Sequence, residues 1–218
     1  LDSAGNWGVV GATILNLPKT GPQTTGGSAN PTPTNGSLPV AISATGDDRA
    51  AGGTIDGAEY FLDSVGADSS GAPITPNRLA SVVSLDPIIP AATVLSLTEG
   101  VHHVFVHSHD SLGLWGPTLD IPLSVDKTGP GVDAADVKPN PTNAILTTTA
   151  HPGYLWVSAS ITDPNTGVSG NTVADAEFFL YTIGAPGTGA HLAAVDGSMH
   201  SSTESVAGGI PLSQIRSL

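Results

Sequence analysis

A chain of 218 residues, 39% of them apolar, can fill one large or two ordinary cores, yet only 11% of its residues are charged, against roughly 25% in ordinary soluble domains, so Ser, Thr, Asn and Gly must cover much of the surface. Six Lys and Arg against 19 Asp and Glu give a net charge of −13, which repels phosphate backbones and makes nucleic acid a poor partner, and the chain has no basic amphipathic stretch to attach it to an anionic membrane. Without a single cysteine, disulfide, thiolate-metal and thiol chemistry are excluded too.

Taken in chain order, Asp2-Ser3-Ala4-Gly5-Asn6-Trp7-Gly8 opens as a turn, and residues 9–17 read as a strand. Residues 20–37, dense in Pro, Gly, Thr and Asn, predict an extended, semi-rigid joint with few backbone bonds. A strand is expected at 40–44, a turn at Gly46-Asp47-Asp48, and a second strand at 58–62 before a loop rich in Gly, Ser and Asp. Shorter strands are expected at 79–85 and 93–97. At 101–108, His102, Val104 and Val106 should share one face, and His103, Phe105 and His107 the other. A closing strand at 118–125 contains Pro122, which suits an edge or a bulge. Only 213–218 could begin a helix, and that stretch aligns roughly with 93–97.

A repeat organises these elements. The opening block returns as Asp110-Ser111-Leu112-Gly113-Leu114-Trp115-Gly116, Lys19-Thr20-Gly21-Pro22 as Lys127-Thr128-Gly129-Pro130, and Pro33-Thr34-Asn35 as Pro141-Thr142-Asn143, each 108 residues on. Gly57-Ala58-Glu59-Tyr60-Phe61-Leu62 returns as Asp175-Ala176-Glu177-Phe178-Phe179-Leu180, 118 residues on, so about ten residues enter between 143 and 157, most naturally at 144–152. The expected domains are therefore 1–19, the closing strand of a preceding repeat; 20–127, one complete domain; and 128–218, a second domain lacking its last strands. Leu1 stands where a start Met would, and no export signal fills the first twenty residues, so a mature or internal segment is expected. No apolar run approaches the roughly 18 residues of a membrane span.

The block Asp2-Ser3-Ala4-Gly5-Asn6-Trp7-Gly8 resembles the D-x-x-G-N-W-G closing motif of bacterial immunoglobulin-like repeats, and Lys19-Thr20-Gly21-Pro22 and Ala58-Glu59-Tyr60-Phe61-Leu62 are similar to other blocks of that family. The resemblance spans essentially the whole chain, with a departure at Leu114, where the motif has Asn and the turn should lose side-chain hydrogen bonds. It implies an all-β chain of tandem immunoglobulin-like β-sandwich domains, the second incomplete, in an extracellular or cell-surface setting, with a spacer or adhesive role.

Each candidate site has a plainer rival. His102, His103, His107 and His109 could offer a pair, His107 and His109, to a metal, but the sequence places no third ligand beside them; outward histidines on a sheet surface, with His102 a satisfied, partly buried ring, is the favoured reading. Asp47, Asp48 and Asp63 could hold calcium. However, aligning Gly46 with Asp163 and Asp63 with Tyr181 leaves the second copy without that set, and turn residues solvated by water are favoured. Glu59 and Glu177 hold equivalent places and read as structural hydrogen-bond acceptors rather than general acids. Asn35-Gly36-Ser37 is a formal glycosylation sequon. Trp7, Trp115 and Trp156 could stack on sugars if exposed, but the shared repeat position of Trp7 and Trp115 favours a common packing role.

No catalytic, cofactor-binding or metal site is assigned, and calcium is the one cofactor the carboxylates could take. The chain is expected to be non-catalytic: a structural or adhesive spacer of a large extracellular repeat protein, such as a surface stalk or fibre. The alternative is a carbohydrate-binding accessory module of a secreted hydrolase, which requires a row of exposed aromatics. The expected partners are neighbouring repeats of the same polypeptide. The surplus strand at 9–17 could also complete another copy by strand addition, although the same phase arises in a piece of a longer polypeptide, which is the simpler reading.

Overall fold

The structure, a computed structural model, describes residues 1–15, 20–145, 148–164 and 171–217. In chain order its elements are β1 (Gln23–Asn30), β2 (Val40–Asp47), β3 (Ile55–Leu62), β4 (Ala72–Ile74), β5 (Val82–Leu85), β6 (Ile88–Ile89), helix α1 (Ala91–Ser96), β7 (Gly100–Asp110), β8 (Leu119–Val125), β9 (Gly131–Lys138), β10 (Tyr154–Thr162), β11 (Glu177–Phe178), β12 (Ala190–His191), β13 (Ala193–Ala194), β14 (Thr203–Pro211) and helix α2 (Leu212–Arg216). The fold is all-β. Its sheets run β1-β2-β5, with β6 also on β2; β4-β3-β7-β8; β13-β14-β10-β9; and β11-β12. Among the described residues no helix is long and apolar enough to cross a membrane.

Two compact units divide the chain. The first comprises Leu1–Ser28, Ile42–Pro87 and His103–Ile121; the second comprises Ala29–Ala41, Ile88–His102 and Pro122–Leu218. In the first, period-2 alternation sends Ile42, Ile55, Leu85, Val104, Val106 and Ile121 inward, all buried. Gly46 of β2 faces Ile55 and Ser108, Gly27 of β1 faces Ile121, and the Thr24 and Ser108 hydroxyls lie 3.4 Å apart. Two sheet faces thus meet in a sandwich-like packing. In the second unit, one cluster joins Ile161, Val173, Leu192 and Val206, and another joins Ala144, Leu155, Ile210 and Leu212. β8 ends its sheet, which is why it tolerates Pro122.

Residues 93–97 are not a strand; they lie in α1 and its C-cap. Five residues of mixed apolar character cannot separate strand from helix. Pro90 settles the matter: it has no N–H for the ladder of β6, and its carbonyl accepts from Thr93 and Val94 to start a helical turn. Pro211 likewise precedes α2, so the rough alignment of 93–97 with 213–218 joins two helices that each follow an Ile-Pro pair. Leu218 lies outside the described residues.

The joints are sheet as well. Residues 23–30 and 131–138 form β1 and β9, each at the end of its sheet order. Eight proline-free residues separate Pro22 from Pro31 and Pro130 from Pro139, long enough for an edge strand of small and β-branched residues.

The expected strand at 9–17 is not formed over its described part. Residues 9–15 carry no strand, and Val9, Val10, Ile14 and Leu15 are exposed; residues 16 and 17, like Lys19, lie outside the described residues. A strand exists only through its ladder, and no described strand pairs with this stretch.

The extra residues of the second copy enter in stages rather than in one block. Leu155 pairs with Ile210 as Val40 pairs with Ile89, offsets of 115 (Val40 to Leu155) and 121 (Ile89 to Ile210). Asp48 N–H donates to the Ser81 carbonyl as Asp163 N–H donates to that of Ser202, both at 2.7 Å. Asp163 is therefore the counterpart of Asp48, not of Gly46. Asp63 and Tyr181 do correspond, each at positive φ (61° and 69°).

Candidate functional site

The register of β3 on β7 sets Gly57 opposite His109, Glu59 opposite His107 and Phe61 opposite Phe105. These side chains share the face turned away from Val104 and Val106, where an ordinary sheet would meet water. Glu59 and His107 are nonetheless only 2% and 3% exposed. The expectation that His107 decorates a surface is therefore overturned, because the loop after β3 folds back as a roof. Glu59 fastens that roof. Its Oε1 accepts from Ser69 N–H at 2.9 Å and lies 2.8 Å from His107 Nε2, and its Oε2 accepts from Gly71 N–H at 2.6 Å.

Glu177 repeats the device, accepting from Gly187 N–H at 3.0 Å and Gly189 N–H at 2.6 Å. In both copies a hydroxyl braces the loop from within, Ser70 to the Ala67 carbonyl and Thr188 to that of Ala185. A carboxylate suits this position because it offers one oxygen to each of two converging backbone donors. The residues read as structural acceptors are acceptors in both copies.

The wall beside the roof comes from the second Asp-x-x-Gly block. Asp110 Oδ1 accepts from Leu112 and Leu114 N–H, both at 2.9 Å, and Gly113 takes φ 78° to close the turn. Asp2 builds the same turn with Ala4 and Asn6, and Gly5 takes φ 88°. There Asn6 Nδ2 also donates to Asp2 Oδ2 at 3.1 Å. The backbone hydrogen bond from Asn6, ahead of its side-chain bond, holds the Asp2 carboxyl below the usual range. Leu114 cannot make that side-chain bond, and Asp110 Oδ2 is buried without a partner.

The turn aims Trp115 at the histidines, with ring centroids 4.4 Å from His107 and 4.5 Å from His109; Phe61 lies 5.7 Å from His107. Trp7, at the same motif position, is 83% exposed, so the expected common packing role does not hold. No described strand stands against Trp7 as β7 stands against Trp115. Trp115→Ala should cost about 3 kcal/mol of unfolding free energy, the usual scale for deleting a packed aromatic, while Trp7→Ala should leave urea unfolding unchanged. Acrylamide should quench Trp7 emission far more than that of Trp115.

The remaining candidates are engaged separately. His102 lies 2.9 Å from the Thr98 carbonyl, and His103 pairs with Asp120 at 2.8 Å. His109 pairs with Asp56 at 2.9 Å. Asp47 is held down at about 2 by the side-chain hydrogen bond from Arg49, and Asp63 accepts from His103 N–H at 3.0 Å. Asn35 Oδ1 closes on Ser37 N–H, and Trp156 stacks on His151 with centroids 3.6 Å apart. Among the described residues no group of three or more His, Asp or Glu is arranged to hold a metal ion.

A shallow cleft beside the roof is lined by Asp56, Glu59, Ser69, Thr75, His109 and Trp115. Its carboxylates are engaged, Glu59 by the roof and Asp56 by His109, and the arrangement fixes a loop. Sequence reasoning misses Asp110 as a turn centre and the pairing of Glu59 with His107; the recurrence of Asp in Asp-x-x-Gly is the signal for the first. No protein-family model, no curated protein and no solved structure matches this chain.

Proposed function

We propose that this chain is a run of tandem immunoglobulin-like β-sandwich repeats from a large secreted or cell-surface protein, serving as a non-catalytic structural or adhesive spacer. The observation that carries this reading is the reuse of polar residues for local fastening. Glu59 and Glu177 clamp equivalent loops, and Asp2 and Asp110 centre equivalent turns. Residues kept in each copy for structural reasons are what a repeated mechanical unit requires. Lys127 fits the same pattern, since its ammonium donates to the carbonyls of Leu95 and Leu97 at the end of α1. The low charge content and high net negative charge suit a soluble, mutually repelling array.

Stretching single chains by their two ends tests this. The 20–127 repeat should unfold in one abrupt step, adding roughly 350 Å of contour at 3.3–3.6 Å per residue. A featureless extension, or saturable binding to immobilised glycans through Trp115 or Trp156, would count against a spacer and favour the carbohydrate-binding alternative.

A further inference from the structure

In the first unit, Asp48 follows directly on β2 and Asp110 ends β7, and both residues are 1% exposed. Neither oxygen of Asp48 has a hydrogen-bond partner, nor does Asp110 Oδ2. Two ionised carboxylates close together in a water-poor site repel one another. Accordingly, burial first, and then the Asp110 charge, push the Asp48 carboxyl up from its ordinary range, with partial relief from the Gly53 backbone. Asp110 cannot turn away, because Oδ1 is tied to Leu112 and Leu114 N–H.

We propose that Asp48 and Asp110 form a binding site for a hard divalent cation of the calcium class. Asp48 Oδ1 and Oδ2 and Asp110 Oδ2 are buried and unpartnered, both residues border the space at Gly53, and the two groups carry a formal charge of −2 when both are ionised, which a divalent ion balances. The sequence keeps the space open. Gly53 has an ordinary negative-φ backbone that would accept any residue, but a Cβ there would run into Asp48 Oδ2 and lie 3.5 Å from the Asp110 Cβ. The turn at Asp2 shows what neutral satisfaction looks like, with Asn6 filling the place of the missing partner; at Asp110 Leu114 leaves that oxygen open. Asp47 does not join the site, being engaged by Arg49. Two carboxylates make a sparse shell that backbone oxygens and water must complete, so affinity belongs to the weak extracellular class, about 10⁻⁴–10⁻³ M.

The full chain, stripped with chelator, should bind calcium saturably in a calorimetric titration at pH 7. Its melting temperature should rise by several degrees between chelator and about 10 mM calcium at constant ionic strength, as mass action requires. Asp48→Asn should abolish the shift and Gly53→Ala should diminish it, while Asp68→Asn, with the same charge change on an exposed loop, should keep it. A wild-type chain with no saturable calcium binding overturns the proposal whether or not the variants fold, and so does a shift that survives in Asp48→Asn. The rival occupant is a proton. Because the folded Asp48 carboxyl is raised, stability would then grow as pH falls through its folded value, in Asp48 chains only and with no response to calcium.

Discussion

Replacing Glu59 by alanine is expected to lower the unfolding free energy by about 3–5 kcal/mol, the scale on which removing one member of a buried hydrogen-bonded pair is felt. Three donors meet at this carboxylate: Ser69 N–H, Gly71 N–H and the His107 ring. Alanine leaves all three without an acceptor and opens a void beneath the roof. Ser69 lies at the surface and can find water, which keeps the loss below the sum of three orphaned donors. Glu59→Gln keeps the volume and one acceptor oxygen and should recover about half of the loss. Glu177→Ala, in a half-buried setting, should cost about 1–2 kcal/mol, since its donors reach solvent more easily. Urea unfolding followed by far-UV circular dichroism measures all three. A Glu59→Ala chain as stable as the parent would remove the roof clamp from the account.

Gly116→Ala is expected to cost about 3 kcal/mol, the upper end of what overpacking usually exacts. The two motifs that mark the repeat meet here. A Cβ on Gly116 would collide with the Pro22 carbonyl oxygen and stand 2.8 Å from its carbon, and a Cβ on Gly21 would strike the backbone of Leu114, Trp115 and Gly116. Backbone against backbone has no side chain to swing aside, so the two segments must part. Gly8 provides the control, because it holds the same motif position and a Cβ added there would meet nothing within 4 Å. Gly8→Ala should leave the urea midpoint where it was. Equal effects at Gly8 and Gly116 would mean that a backbone preference, not close approach, keeps glycine in the motif.

The local parts of this fold are readable from the chain. Alternation at 40–44 and 101–108 predicts β2 and β7, and the Asp-x-x-Gly blocks form their turns whether or not a sheet stands beside them, as Asp2 and Asp110 show. Helix α1 escapes a reading by periodicity because its six residues hold too little period, and Pro90 is the better signal. In the Pro- and Gly-rich stretch 20–37 and in its counterpart 128–143, overall composition masks the proline-free runs that become β1 and β9.

Sequence alone determined the all-β character, the turn chemistry and the acceptor role of Glu59, because each depends on residues close in the chain or on a pattern of period two. Tertiary structure decided which outward residues became buried. His107 is covered only when the loop after β3 closes over it, and Asp48 faces Asp110 only when the ends of two distant strands converge. Burial and charge proximity are properties of space rather than of spacing, so no local pattern carries them.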